Sequence, residues 1–409
     1  MNNYDVIIIG GGASGLFAAV KAGEKGLKTL LIEKNEKVGK KLFITGKGRC
    51  NLTNNCDNEE FLKNIPTNPR FLYSAINSFS CQDTMDFFES LGVKLKTERG
   101  NRVFPQSDKA SEIVFSLENT CNNLHIKIIK DCYCEKFIIN DNAIVGISTN
   151  KGEYFSKNIL LCTGGKSYSV TGSDGNGYNL AQQCGHTIIL PKPALVPIET
   201  KEPYPTKMMG LSLKNVILTV FCKQSGKAVF KDMGEMLFTH FGISGPLVLS
   251  ASSFIKSQHE YDMFIDFKPA LDETTLDNRI LKEIQKNINK NFSNVIRSLL
   301  PAKAVDVFLE ICNFSDDLKA NQVTKEQRQS LIKLLKAFPL TFKKFRPIDE
   351  AIITSGGICV KEINPKTMES KIVNGLYFCG EIIDVDAFTG GFNLQIAFST
   401  ANSAIESIW

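Results

Sequence analysis

The chain has 409 residues, enough for two or three domains that each bury a core. A hydrophobic fraction of 43% and a charged fraction of 22% are those of a soluble globular protein, and a net charge of +5 with scattered Lys and Arg does not call for nucleic acid as a partner. No apolar run reaches the ~20 residues of a membrane span, and 12 irregularly spaced cysteines with no CxxC fit reduced thiols in a cytoplasmic protein.

Residues 4–9 form a short apolar run of β-branched character, as expected of a strand covered on both faces. Asp5 stands where a signal peptide would carry a basic residue, which argues against a leader here. Residues 14–25 predict a helix and residues 28–33 a second buried strand, together the length of one βαβ unit. Short strands follow at 126–129, 137–139, 143–148 and 154–155, with turns at Asn140-Asp141-Asn142 and Asn150-Lys151-Gly152. Residues 159–162 read as another fully buried strand, ending in Thr163-Gly164-Gly165.

Prolines at 191, 193, 197, 203 and 205 mark a boundary. Beyond it, residues 213–221 and 227–230 predict a hairpin about Ser225-Gly226, and Tyr261, Met263, Ile265 and Phe267 share one strand face. From about 276 to 338 the period is helical, with Ile280, Ile284 and Ile288 on one face and a capping box from Thr324 to Gln327. After Pro347 the buried-strand texture returns at 375–379, and a last helix starts near Phe392. The expected division is a dinucleotide-binding domain over 1–190 and 348–409, an inserted β domain over 191–270 and 338–347, and a helical subdomain over 271–337.

Gly10-Gly11-Gly12-Ala13-Ser14-Gly15 is a GxGxxG between strand and helix. Gly10 permits the turn, Gly12 lets backbone approach a pyrophosphate, Gly15 lets helix and strand pack, and the helix N-terminus favours phosphate. Glu33 follows Gly15 by 18 residues, where a carboxylate accepts from ribose hydroxyls and repels a 2′-phosphate. NAD and FAD both satisfy this unit. The stretch from Gly39 to Asn54 adds glycines with Lys40, Lys41 and Arg49, cations able to neutralise a pyrophosphate, beside Lys34 and Gly48; it lacks the spacing of a Walker A loop. No metal is called for.

That stretch, together with Thr163-Gly164-Gly165, Gly172-Ser173-Asp174-Gly175-Asn176-Gly177-Tyr178, Ile353-Thr354-Ser355-Gly356-Gly357, the run from Leu376 to Asp386 and Thr389-Gly390-Gly391-Phe392-Asn393-Leu394-Gln395, closely resembles the BaiN/YhiN-like flavoproteins, also called aminoacetone-oxidase-like FAD-binding enzymes. Residues 235–246 resemble that family's inserted-domain signature. The resemblance runs end to end. It implies an α/β fold with a discontinuous glutathione-reductase-like FAD-binding Rossmann domain, an inserted β-barrel-like domain and a helical subdomain. It implies FAD, a small-molecule substrate, and either reduction of a steroid-like enone with NADH or NADPH as transient donor or oxidation of a small amine by oxygen. RNA modification stands as a further class, for which residues 260–340 show no basic stripe.

The resemblance puts Ser14, Glu33, Lys41 and Asn51 on the AMP and pyrophosphate side, and Cys134 against the adenine through its main chain. It puts Gly380 at the cofactor, Glu381 on the ribityl chain, and Gly391, Asn393 and Leu394 under the isoalloxazine, where a helix N-terminus suits the negative charge of reduced flavin. The reading GSDGNGY, where the family pattern suggests GSTGDGY, leaves the role of Asp174 open. Cys50 and Cys56 are either a redox pair or buried structural thiols. His240 is either a proton donor or a structural histidine, and residues 102–105 either edge the active site or pack.

Overall fold

The computed structural model describes residues 2–256 and 258–408. It divides into two compact units, Met1–Ala194 with Ile348–Trp409, and Leu195–Pro347. The first division falls after 194 because Ile188–Ala194 pairs antiparallel with Ile353–Ile358 and so stays with the first unit.

The first unit is built on a five-stranded parallel sheet ordered Leu376–Phe378, Ile159–Leu161, Val6–Ile9, Thr29–Ile32, Lys127–Ile129. Four of these strands are buried at every position, which their unbroken apolar runs anticipate. The C-terminal strand pairs with Ile159–Leu161, and that pairing makes the unit discontinuous. Two helices, Ala13–Glu24 and Phe392–Glu406, pack together, with the Phe17 and Phe398 rings 5.3 Å apart. A three-stranded antiparallel sheet of Cys134–Asn140, Ala143–Thr149 and Gly152–Phe155 adjoins. Its first hairpin closes through Asp141 and Asn142 at φ 50° and 58°, the double left-handed turn that Asp and Asn tolerate.

The second unit holds a closed six-stranded barrel ordered Ile198–Thr200, Gly242–Ser244, Lys227–Phe238, Ser212–Cys222, Tyr261–Asp266, Phe338–Phe345. Tyr261, Met263 and Ile265 point into it in strict alternation. The strand expected over 227–230 runs on to Phe238; its exposed Lys231-Asp232-Met233 breaks the apolar alternation that would have revealed it. The continuous helical stretch expected from 276 to 338 is broken into Glu273–Lys286, Phe292–Leu299, Ala302–Ile311 and Lys325–Lys336. Asn287 closes the first helix, so Ile288 leaves the apolar face and is 51% exposed, and Pro301 caps the third. These helices share one core with the barrel, Phe308 lying 5.4 Å from Phe338. Among the described residues no helix is long and apolar enough to cross a membrane.

Candidate functional site

The glycine-rich turn is the best-defined feature of the first unit. Gly10 lies at φ 103°, and a Cβ there would sit 2.6 Å from the Cys162 carbonyl oxygen. A Cβ on Gly15 would sit 1.8 Å from the Gly10 carbonyl oxygen, so turn and helix touch backbone to backbone. Gly12 differs: at φ −81° its hypothetical Cβ meets nothing within 4 Å. The space above Gly12 is open, at the N-terminus of a helix that no side chain caps. Free N–H groups around open space form a cradle for an anion, and a pyrophosphate fits it.

Glu33 is buried at the end of its strand. Its carboxylate accepts from the Gly11 N–H at 2.7 Å, the Asn35 N–H at 2.8 Å and Asn35 Nδ2 at 2.7 Å. It therefore orients the glycine turn itself and keeps one acceptor position, on Oε2, for a ribose hydroxyl. Cys134 is buried at the start of its strand.

The cations expected at the pyrophosphate are each drawn to a carboxylate of the chain. Lys34 pairs with Asp174 at 2.7 Å, which ties the loop after Gly172 to the second strand, and Lys40 pairs with Glu36 at 3.0 Å. Arg49 lies between Glu98 and Asp108 and stacks 4.2 Å over the Phe104 ring, so its charge is neutralised locally. Next to it the Gly46-Lys47-Gly48 turn is left-handed throughout.

Lys41 takes a different part. Its ammonium lies 2.7 Å from Glu381 Oε2 and donates to Ser167 Oγ at 2.7 Å. Glu381 Oε1 accepts from the Thr354 N–H at 2.8 Å and from Ser167 Oγ at 3.1 Å. Asn51, with its amide oxygen turned toward Gly391, accepts from the Gly391 N–H at 3.0 Å and donates to the Val103 and Thr53 carbonyls. The resemblance assigned Lys41 and Asn51 to one end of the cofactor and Glu381 and Gly391 to the other; the structure joins Lys41 to Glu381 and Asn51 to Gly391.

The C-terminal helix begins at Phe392 after Gly391, whose φ of 97° and a hypothetical Cβ 2.3 Å from the Thr53 carbonyl oxygen admit only glycine. No side chain caps its first turn. The Asn393 side chain faces backward instead, accepting from the Ala387 N–H at 3.0 Å and donating to its carbonyl at 2.9 Å. Leu394 is partly buried in the first turn. Ser14 packs toward Gly380, whose N–H donates to Thr400 Oγ1 at 2.9 Å.

Several buried polar atoms cluster here without a partner: Thr163 Oγ1, Ser173 Oγ, Tyr178 OH and Asp386 Oδ1. Burial raises the Tyr178 hydroxyl, with Glu381 and Asp384 adding to the shift. Burial likewise raises the carboxyls of Asp384 and Asp386 above the usual range, against the hydrogen bonds of Asn68 to the first and of Thr67 and Ser355 to the second. Orphaned donors and acceptors beside an open glycine cradle are what a polar dinucleotide would satisfy. The two aspartates and Gln395, which accepts from Thr53 and Thr84 at 2.6 and 2.7 Å, went unassigned in the sequence. For Asp384 and Asp386 the available signal was a D-x-D run followed, after Ala387-Phe388-Thr389, by a glycine pair.

Cys50 is buried and its thiol is pushed up to about 12 by desolvation. Cys56, the other member of the candidate redox pair, is half-buried and likewise a free thiol. Val103 and Phe104 are buried, Val103 pairing with Thr53. His240 belongs to the second unit, in the turn between two barrel strands; it is exposed and its ring lies edge-on to Phe241 at 5.0 Å.

A family model described as the HI0933-like protein Rossmann domain matches residues 4–407. The chain is 31% identical over 399 residues to a 3-dehydro-bile acid delta(4,6)-reductase of Clostridium scindens, covering 96% of each chain. It is 31% identical over 419 residues to a ribosomal RNA dihydrouridine synthase of Haemophilus influenzae, covering 100% of this chain and 99% of the relative. It is also 30% identical to the ribosomal RNA dihydrouridine synthase of Escherichia coli, covering 98% and 97%. Among solved structures, the fold is similar to the 3-ketosteroid delta1-dehydrogenase of Sterolibacterium denitrificans, with TM-score 0.54 at 13% identity over 100% and 99% of the two chains. It is also similar to a flavocytochrome c3 fumarate reductase, with TM-score 0.53 at 15% identity over 99% of this chain and 78% of the other. At these identities the two structures speak for a flavoprotein fold alone.

Proposed function

This chain belongs to the HI0933-like Rossmann-domain family, and from that premise we propose that it is an FAD-dependent oxidoreductase that reduces a carbon–carbon double bond conjugated to a carbonyl in a small enone of the steroid class. One observation carries the reading. Relatives matched end to end are named for unlike substrates, a 3-dehydro-bile acid and ribosomal RNA, yet both names describe saturation of a double bond conjugated to a carbonyl.

FAD, when bound, supplies the hydride chemistry. The residues of this chain bind, orient and hold charge. The turn at Gly12 and the free N–H groups after it take the pyrophosphate, and Glu33 offers one acceptor to a ribose. Lys41, Ser167 and Glu381 form a fixed polar trio for the sugar-alcohol chain. The uncapped first turn of Phe392–Glu406 offers N–H donors and a positive dipole end to the electron-rich edge of the flavin. Asp386, whose carboxyl burial raises above its usual range, is the proton source we assign; His240, the donor offered by the sequence, is exposed. The sequence carries no second GxGxxG, so NADH or NADPH would act as a transient donor at the substrate's own site, with ping-pong kinetics.

A second reading, a uracil ring in RNA as the acceptor, is favoured by the charge partition. Residues 195–347 hold 22 basic and 16 acidic residues, a net +6, while the rest holds 26 and 27, a net −1. The test is anaerobic reduction of the FAD-loaded protein by NADH or NADPH, then separate challenge with a 3-oxo-4,6-diene steroid, a uridine-containing ribosomal RNA fragment, and oxygen. Reoxidation by the steroid supports the first reading and reoxidation by RNA alone moves the assignment to the second. Rapid reoxidation by oxygen alone refutes both.

A further inference from the structure

His186 follows the helix Asn176–Gln183, and its side chain has no exposure to solvent. Three groups surround the ring. Nδ1 lies 3.2 Å from Glu362 Oε2, Nε2 lies 2.8 Å from Ser370 Oγ, and the Phe378 ring stands edge-on at 4.8 Å. The hydroxyl decides which nitrogen carries the proton. Ser370 Oγ already accepts from the Ile372 N–H at 3.0 Å and the Val373 N–H at 2.9 Å, which fills both of its lone pairs. Its contact with Nε2 therefore uses the hydroxyl proton, so Nε2 is bare and Nδ1–H donates to Glu362. Serine, histidine and acid stand in the order of a nucleophile triad, but an oxygen with no free lone pair, on a residue only 5% exposed, is not a nucleophile.

The same count makes a neutral ring a condition of the arrangement. A proton added at Nε2 meets the Ser370 hydroxyl proton. The hydroxyl must then turn away and accept from Nε2–H, and one of the Ile372 and Val373 N–H groups loses its acceptor. Those N–H groups close the turn that leads into the edge strand of the parallel sheet. There the Ser370 N–H donates to the Leu376 carbonyl at 2.7 Å and the Phe378 N–H to the Met368 carbonyl at 3.0 Å. The strand Leu376–Phe378 runs on into Gly380–Ile382, which carries Glu381. On the other side Glu362 also accepts from the Thr187 N–H at 2.8 Å.

Burial lowers the pKa of His186, with Glu362 opposing the shift. Burial opposes ionisation of Glu362 in turn, but its hydrogen bonds from Thr187 and His186 hold that carboxyl below the usual range. The other ionisable groups on the neighbouring segments are engaged elsewhere or neutral. Glu369 Oε1 accepts from the Gly375 N–H at 2.9 Å, and the Lys371 ammonium donates to the Lys361 carbonyl at 2.9 Å. Burial pushes the Cys184 thiol up to about 11 and the Tyr377 hydroxyl up to about 12. Cys359, whose N–H donates to the Thr187 carbonyl at 3.0 Å, brings a free thiol.

We propose that His186, Ser370 and Glu362 form an acid-sensitive clasp: the neutral Nδ1–H ring holds the turn over residues 370–373 closed, and protonation at Nε2 opens it and loosens the strand Leu376–Phe378. The proton comes from solvent, and no covalent bond other than the new N–H is made or broken. The folded ring binds that proton less readily than the open chain does. The clasp therefore contributes its full stability above a pH of about 6.5 and loses it as pH falls below that value.

The experiment is amide exchange of the full-length protein, corrected for intrinsic rates, with nitrogen NMR of the imidazoles in the same samples. With an open-form pKa of about 6.5, going from about pH 7.5 to about pH 5 multiplies the opening constant by up to about 30. Exchange across residues 370–378 should rise about 10- to 30-fold, while the buried strand Val6–Ile9 stays unchanged. His186→Gln keeps a neutral donor and acceptor but cannot take up the proton, and should lose the rise. Ser370→Ala removes the acceptor of the turn and should exchange fast at both pH values. At the higher pH the wild-type spectrum should show His186, identified by its contact with the Phe378 ring, as the neutral Nδ1–H form. An Nε2–H tautomer or an imidazolium there would overturn the lone-pair assignment. Exchange at 370–378 that does not rise on acidification, that rises together with Val6–Ile9, or that rises equally in His186→Gln would overturn the clasp. Both wild-type measurements stand should His186→Gln fail to fold, and none of the readouts depends on FAD or on the substrate proposed above.

Discussion

Replacing Gly12 and Gly15 separately distinguishes a cofactor cradle from a merely structural glycine turn. Both belong to the same motif, but their surroundings differ. Gly12→Val places its side chain in open space at an extended φ of −81°. Loss of a good N-cap residue and restriction of the unfolded chain act in opposite directions, leaving a net change within about 1 kcal/mol, or about 4 °C in Tm for a unit of this size. Gly15→Ala drives a methyl to 1.8 Å from the Gly10 carbonyl oxygen, backbone against backbone, so helix and strand must separate. That costs about 3 kcal/mol and should lower Tm by about 6–12 °C. The valine does fill the volume a pyrophosphate would use, and FAD affinity should fall at least about 100-fold, ~2.7 kcal/mol. Thermal unfolding of the apo proteins and fluorescence titration with FAD give both numbers. A Gly12→Val protein that retains stoichiometric FAD, or an apo form as unstable as Gly15→Ala, would refute the placement of the pyrophosphate.

Three further outcomes are expected. Lys41→Met strands the partly buried Glu381 carboxylate and should destabilise by about 1–3 kcal/mol in urea titration, with Glu381→Gln restoring much of the loss in the double variant; additive effects would show that the pair is not coupled. Asp386 has a folded-state pKa raised by burial, so the folded protein binds its proton more tightly than the unfolded chain and loses stability as pH rises above about 4. Asp386→Asn should therefore melt higher than wild type at pH 8, with the difference vanishing toward pH 4, and a lower Tm at pH 8 would contradict a carboxyl raised by burial. Leu394→Pro removes an N–H from the first turn that has no partner inside the helix, which begins its ladder at Gln395; the fold should persist while the FAD reduction potential drops, and an unchanged potential would displace the flavin from this helix end.

Much of the first unit was legible in residue order. The strand at 6–9, the helix after Gly12, the strand ending at Glu33 and the left-handed turn at Asp141-Asn142 each follow from short-range rules of side-chain period and allowed φ/ψ, which act within a few residues. So did the return of the chain to the first domain after Pro347, because a fully apolar run such as Leu376–Phe378 is stable only inside a covered sheet. Where local signals were weak, as at Lys231-Asp232-Met233 or across Asn287, element limits were missed. Charge pairing was not legible at all. Lys41 meets a carboxylate 340 residues away, and Arg49 is claimed by Glu98 and Asp108. Any cation on this chain can satisfy any of 43 carboxylates, and local sequence does not rank those choices. The packing of the C-terminal helix and strand against the glycine turn ranks them, because only tertiary structure brings residues distant in the chain within the few ångströms over which hydrogen bonds act.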